Sequence, residues 1–307
     1  MEAGLRNFKK ISLTTLIVLF LLIGVGGLIY VTESSMGCPD WPKCFGFWLP
    51  PTCDCKLPAN YHELYKNNGY PSGVNFDSIK TMLVFLNRIL GLMALLLLIV
   101  TLYEAHKIRL TNRIIFRSIA FCLIFALLEI AIAAYAIRNN IMQESFAIRY
   151  TIGVAMICVL AYAIAIVFNV NQNEKMNHVS KRDIFPLLLM VFATVNLLVV
   201  LSNQTRLVNG VLTISQNASF VVLNVILLSF MLFFTFRIWL KAPFILAFQI
   251  PLLVLFIVIV ILIINGFLLW YLKSPQLLVV LHITLAAVLF CSQFYIYSFI
   301  KLKKGNI

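Results

Sequence analysis

Apolar runs of about 20 residues recur from one end of this chain to the other, the length a helix needs to cross a hydrocarbon core of roughly 30 Å. Hydropathy places eight of them, at Ile11 to Thr32, Thr81 to Tyr103, Ser118 to Ala136, Ile148 to Phe168, Phe185 to Leu201, Phe220 to Trp239, Ala242 to Leu262 and Leu277 to Ile300. The composition agrees: 62% of the residues are hydrophobic and 11% are charged, whereas a soluble domain carries about 25% charged residues. The class this implies is an all-α integral membrane protein with eight transmembrane helices.

A net charge of +13 would suggest a nucleic-acid partner in a soluble chain, but here the basic residues sit in short connections between apolar runs. Arg6/Lys9/Lys10, Lys107/Arg109/Arg113/Arg117, Lys175/Lys181/Arg182, Arg237/Lys241 and Lys301/Lys303/Lys304 all fall on one side. The opposite side receives Lys43, Lys56, Lys66, Lys80, Arg138, Arg149, Arg206 and Lys273. By the positive-inside rule the richer side is cytoplasmic, and an even span count puts both termini there. The first run lacks a small-x-small cleavage site and reads as a retained span. No Arg- and Ser-rich presequence precedes it, which points to a bacterial plasma membrane.

One long connection, residues 33–79, faces outward. A polar cytoplasmic stretch, residues 171–183, separates four runs from four. The expected organisation is an N-terminal four-helix bundle (1–170) carrying the outward loop, a linker (171–183) and a C-terminal four-helix bundle (184–307), the layout of a duplicated unit.

Chemistry-bearing side chains are few. Cys122, Cys158 and Cys291 lie within runs, where thiols serve as small packing residues. Cys38, Cys44, Cys53 and Cys55 share the outward loop, and Cys38-Pro-Asp-Trp-Pro-Lys-Cys44 sets two thiols around a proline-stiffened turn in a compartment that permits disulfides. A Cys38–Cys44 bridge is expected, as a loop staple or as an exchanging pair; zinc is disfavoured by the spacing, and the pairing of Cys53 and Cys55 stays open. His62, His106 and His178 lie in connections and read as solvated surface residues. His282 alone lies in a run, where an imidazole is either packed and hydrogen-bonded or an axial ligand to heme iron. Arg88 and Glu129 are intramembrane charges at similar depth, so they are expected to pair with each other; the alternative gives the Arg88 guanidinium to a heme propionate.

Gly26-Gly27-Leu28-Ile29 through Thr32-Glu33-Ser34, Met36-Gly37-Cys38-Pro39-Asp40-Trp41-Pro42-Lys43-Cys44-Phe45-Gly46 and Pro50-Pro51-Thr52 resemble the heme A synthase family. The likeness continues through Leu57-Pro58-Ala59-Asn60-Tyr61 and Asn87-Arg88-Ile89-Leu90-Gly91. It returns thinly at Gln204-Thr205-Arg206, at Asn265-Gly266 to Pro275, and at His282-Ile283-Thr284-Leu285-Ala286 to Gln293-Phe294. The resemblance implies two four-helix bundles related by pseudo-twofold symmetry, heme b as cofactor, and oxidation of the C8 methyl of heme O to the formyl of heme A. It also implies a heme-binding role for His282, as iron ligand, and for Arg88 and Arg206. Heme O synthase or a terminal oxidase is the implied protein partner, besides membrane lipid.

The same resemblance exposes a deficit. The family offers a pair of histidines per bundle near the outward ends of the second, fourth, sixth and eighth spans. Here those positions read Asn87, Arg149, a stretch around Leu223 and Asn224, and His282. The family's glutamate before the second-span histidine falls at Val84, and the arginine expected after Gly26-Gly27 is Tyr30. Asn is a poor heme ligand and Arg is none at ordinary pH, whereas Glu129 and Arg149 are an added carboxylate and cation that can compensate one another. Two readings follow: an oxidoreductase with at most one heme site around His282, or a noncatalytic relative that binds heme, hands it on, or assists oxidase assembly. An unrelated transporter would show Gly- or Pro-broken spans at matching places in both halves, and no such pair is present.

Overall fold

The computed structural model describes residues 2–67, 75–108, 112–139, 141–142, 145–169, 205–208, 211–214, 218–241, 245–272 and 275–304. The helices are α1 (Glu2–Val31), the short α2 (Tyr61–Asn67), α3 (Ser78–Lys107), α4 (Arg113–Arg138), α5 (Phe146–Asn169), α6 (Ala218–Lys241), α7 (Leu246–Tyr271) and α8 (Gln276–Lys304). Six of them, α1, α3, α4, α5, α7 and α8, are long and apolar enough to cross a membrane. The expected fifth span, Phe185 to Leu201, and the linker 171–183 lie outside the described residues. Helices run past the expected spans at several ends, α1 beginning at Glu2 rather than Ile11, because hydropathy marks only the lipid-crossing part of a helix that polar residues prolong. One departure from an all-helical chain is an antiparallel hairpin of β1 (Thr205–Val208) and β2 (Val211–Ile214), Thr205 paired with Ile214 and Val208 with Val211. The chain is an all-α membrane protein with this hairpin in one connection.

Local signals set the helix starts. Asp77 caps α3 by accepting from the N–H groups of Ile79 and Lys80 at 2.9 and 3.1 Å, and Asn112 caps α4 by accepting from Ile114 N–H at 3.0 Å. α1 packs on α3, α5 and α8; α4 lies against α3 and α5; and α8 packs on α5 and α7, which meets α6. The main core fills this assembly with side chains such as Phe8, Leu98, Ile119, Leu160, Phe248 and Phe299. Some polar groups inside it pair across helices. The hydroxyls of Thr15 and Thr101 meet at 3.0 Å across α1 and α3, and Tyr150 donates to the Ile283 carbonyl at 2.9 Å, joining α5 to α8.

Pro251 sits inside α7 and has no N–H to give the Ala247 carbonyl four residues back. The Tyr295 hydroxyl of α8 donates to that carbonyl at 3.0 Å, so the acceptor freed by the proline is satisfied where lipid could not do so. Tyr295→Phe is therefore expected to cost about 1–2 kcal/mol, read as a lower unfolding temperature in detergent; an unchanged temperature would mean that Ala247 finds another donor.

Candidate functional site

The loop between α1 and α3 is built around the Cys38–Cys44 disulfide, with the two Cα atoms 5.0 Å apart. Phe45 and Gly46 both have positive φ, 53° and 80°, a region costly for a bulky residue such as Phe45. The Asp40 carboxylate holds this turn, accepting from Phe45 N–H at 2.6 Å and Gly46 N–H at 2.8 Å. The Phe45 ring is buried with its edge against Tyr65 of α2 and Phe76. Cys44 and Phe47 close the turn with paired backbone bonds of 2.9 and 3.0 Å. A second disulfide joins Cys53 to Cys55, the pairing that the sequence left open.

Two contacts fasten this loop to α3. A Cβ on Gly37 would lie 2.6 Å from the Lys80 backbone, so only glycine allows the approach by which Thr81 donates its hydroxyl to the Gly37 carbonyl at 2.8 Å. Further down the helix, the Arg88 guanidinium donates to the carbonyls of Asp40, Pro42 and Lys43 at 2.8, 3.2 and 2.7 Å. The expected Arg88–Glu129 pair is thus corrected. Sequence depth placed the two charges at one level but could not give the face of the helix each occupies. The clue to Arg88 was its place near the loop end of α3, where a long cationic side chain can snorkel to polar backbone.

Glu129 of α4 pairs with Arg149 of α5, Nε to Oε1 at 2.8 Å, with side chains 22% and 17% exposed. Arg149 also donates to the Met142 sulfur at 3.5 Å. The mutual compensation expected of this carboxylate and cation is what the structure contains. Close by in sequence, Tyr30 of α1 stacks on Phe146 of α5 with ring centroids 4.0 Å apart. That stack was not anticipated; the only hint was an aromatic standing where the family carries a cation.

Asn87 of α3 faces α1, its Oδ1 3.9 Å from where a Cβ on Gly26 would lie, and that oxygen is buried without a partner. On α8, His282 buries its Nδ1 without a hydrogen-bond partner, while its neighbours Ile283 and Thr284 pack toward Gly27 and Gly24 of α1. Arg206 lies on β1 opposite Thr213, and Leu223 and Asn224 lie on α6. Cys122, Cys158 and Cys291 are buried free thiols. Among the described residues, no group of three or more His, Cys, Asp or Glu side chains is arranged to hold a metal ion.

The family model described as cytochrome oxidase assembly protein, COX15-CtaA, matches residues 9–221 of this chain. The chain belongs to this family. A curated relative, the heme A synthase of Geobacillus thermodenitrificans, is 47% identical over 51 residues, which are 16% of this chain and 15% of the length of that relative. No solved structure is significantly similar to the chain.

A heme held between two histidines can be tested against these side chains. In the first half the two positions hold an amide, Asn87, and a guanidinium tied to Glu129; neither is an iron donor, and the residues do not fit such a heme. At the other end of the chain, His282 presents one imidazole with an unpartnered buried nitrogen, and it fits a single axial bond.

Proposed function

We propose that the chain serves cytochrome oxidase assembly as a heme-handling member of its family that does not itself oxidise the methyl group of heme O. The observation that carries this reading is the Glu129–Arg149 pair. Arg149, tied to Glu129, and Asn87 occupy the two positions at which the resemblance calls for imidazoles, and Val84 supplies no carboxylate. We assign the chain eight spans in two four-helix bundles, residues 1–170 and 184–307, joined by the linker 171–183. Both termini are placed in the cytoplasm and the disulfide loop outside, in a bacterial plasma membrane.

In this reading His282 holds the one heme, by a neutral nitrogen that avoids placing a charge in lipid. A b-type heme so held supplies a redox-active iron. Arg206, on the hairpin, is the cation assigned to a propionate, an interaction suited to a guanidinium fork. Arg88 acts in this reading on the loop, keeping the Asp40, Pro42 and Lys43 carbonyls gathered against α3. Heme O synthase or a terminal oxidase, approached through the loop, is the proposed protein partner, and heme O is a substrate only if the chain turns over.

A second reading keeps the methyl oxidation of heme O to heme A, and the match to a protein named heme A synthase favours it. The two share His282 and differ in turnover. Protein purified from heme-replete membranes is expected to carry at most one heme per chain, with a spectrum unlike that of two axial imidazoles, and to lose it in His282→Ala. Heme content unchanged by that substitution, or a bis-histidine low-spin spectrum, would overturn the assignment.

A further inference from the structure

The tip of the disulfide loop is unusual for an aqueous surface. Trp48 and Leu49 are 70% and 74% exposed, and Trp41 and Phe47 are 47% and 48% exposed, although Phe45 between them is buried. Lys43 places its ammonium 5.5 Å from the centre of the Trp48 ring. The tip thus combines aromatic rings, one aliphatic side chain and a cation, the mixture that settles at a membrane–water boundary, where ring bodies lie among acyl chains and polar ends among headgroups.

Its position in the fold agrees. A helix of 30 residues such as α3 is about 45 Å long, so it overhangs a hydrocarbon core of roughly 30 Å by about 7 Å at each end. Arg88 lies ten residues after Ser78, about 15 Å along the axis, and its Cα is therefore inside the apolar layer. Helical side chains lean toward the N-terminus, here the loop end, so the guanidinium meets the carbonyls of Asp40, Pro42 and Lys43 near the boundary. Below Arg88 on the same helical face run Leu92, Leu96, Ile99 and Tyr103, each between 47% and 62% exposed, a stripe suited to lipid. The residues that Arg88 grips are therefore continuous with a lipid-facing surface. Asp40, the acidic residue of the tip, is turned inward onto two N–H groups, which leaves Lys43 as the charge the tip displays.

We infer that residues 41–49 form an interfacial anchor, with Trp41, Phe47, Trp48 and Leu49 seated among the lipids of the leaflet on the loop's side and Lys43 against their phosphates. The disulfide and the Arg88 clamp would then hold the loop flat on the bilayer and set the height at which it meets a partner. This inference concerns the loop alone and does not depend on whether His282 holds heme.

The test is depth-dependent fluorescence quenching in nanodiscs of phosphatidylcholine and phosphatidylglycerol. Trp41→Phe, Trp239→Phe and Trp270→Phe leave Trp48 as the sole indole, each change keeping an aromatic ring. Lipids brominated on the acyl chain close to the headgroup are expected to quench Trp48 by roughly half, as for an interfacial indole, while aqueous iodide quenches it weakly. Strong quenching by iodide with none by brominated lipid would overturn the inference, placing the tip in water. Quenching by neither would also overturn it, since a protein surface would then cover the tip. A companion protein retaining only Trp41 guards against misfolding of the first variant and is expected to give the same order of quenching.

Discussion

Replacing Arg149 by methionine is expected to destabilise the protein by about 3 kcal/mol, because it strands the Glu129 carboxylate among apolar helices. The pair is four-fifths buried, and the second carboxylate oxygen, Oε2, is buried with no partner of its own. Arg149 is therefore the main compensation that the carboxylate has. The effect should belong to the pair and not to the bulk of the arginine. Glu129→Gln combined with Arg149→Met is thus expected to recover most of the loss, since a neutral pair of similar volume carries no unpaired charge. Denaturant unfolding in detergent of the two single variants and the double variant supplies the cycle. Strictly additive losses would show that Glu129 and Arg149 act independently, and the pair would no longer explain what fills the first half of the chain.

Removing the Cys38–Cys44 bridge is expected to have the next largest effect. Closing so short a loop, with a separation of six residues, restricts the unfolded chain by about 2 kcal/mol. Within the folded protein it also keeps the Asp40, Pro42 and Lys43 carbonyls together under Arg88. Cys38→Ser with Cys44→Ser should lower the unfolding temperature and make Lys43 a site of rapid tryptic cleavage. Reductant should do the same to the unsubstituted protein, and should add little to the double variant, whose remaining Cys53–Cys55 bridge spans a separation of two residues. Equal cleavage rates with and without the bridge would mean that Arg88 and Asp40 organise the loop by themselves.

How far these features could be read from sequence depended on their range. The apolar runs announced helices because their length has one physical use, but hydropathy begins those helices at Thr81 and Ser118 and passes over the caps at Asp77 and Asn112 in the polar turns before them. The Cys38–Cys44 bridge was legible as a local feature, since six residues of proline-stiffened chain keep the thiols near each other. The destination of Arg88 was not legible. Placing it required knowing how the loop folds back over α3, which depends on a left-handed turn at Phe45–Gly46 held by Asp40. Its supposed partner Glu129 pairs instead with Arg149 across the α4–α5 contact, the other compensation the sequence offered, and helix rotation decides between the two. The Tyr295 hydroxyl that serves Ala247 is another case, since Pro251 shows that an acceptor is freed but not which residue answers it. The missing histidines, by contrast, were visible at once, because composition alone allows none between His178 and His282.

The central claim is that this family member handles heme without oxidising it. The most direct test is extraction and chromatography of hemes from a host that makes heme O but not heme A, with and without the protein folded in its membrane. The account predicts heme b and heme O in both samples, with no heme A and no hydroxylated intermediate in either. Heme A, or its hydroxylated intermediate, appearing only with the protein would contradict it, and would mean that the family chemistry proceeds with Asn87 and a paired Arg149 in the places of histidines.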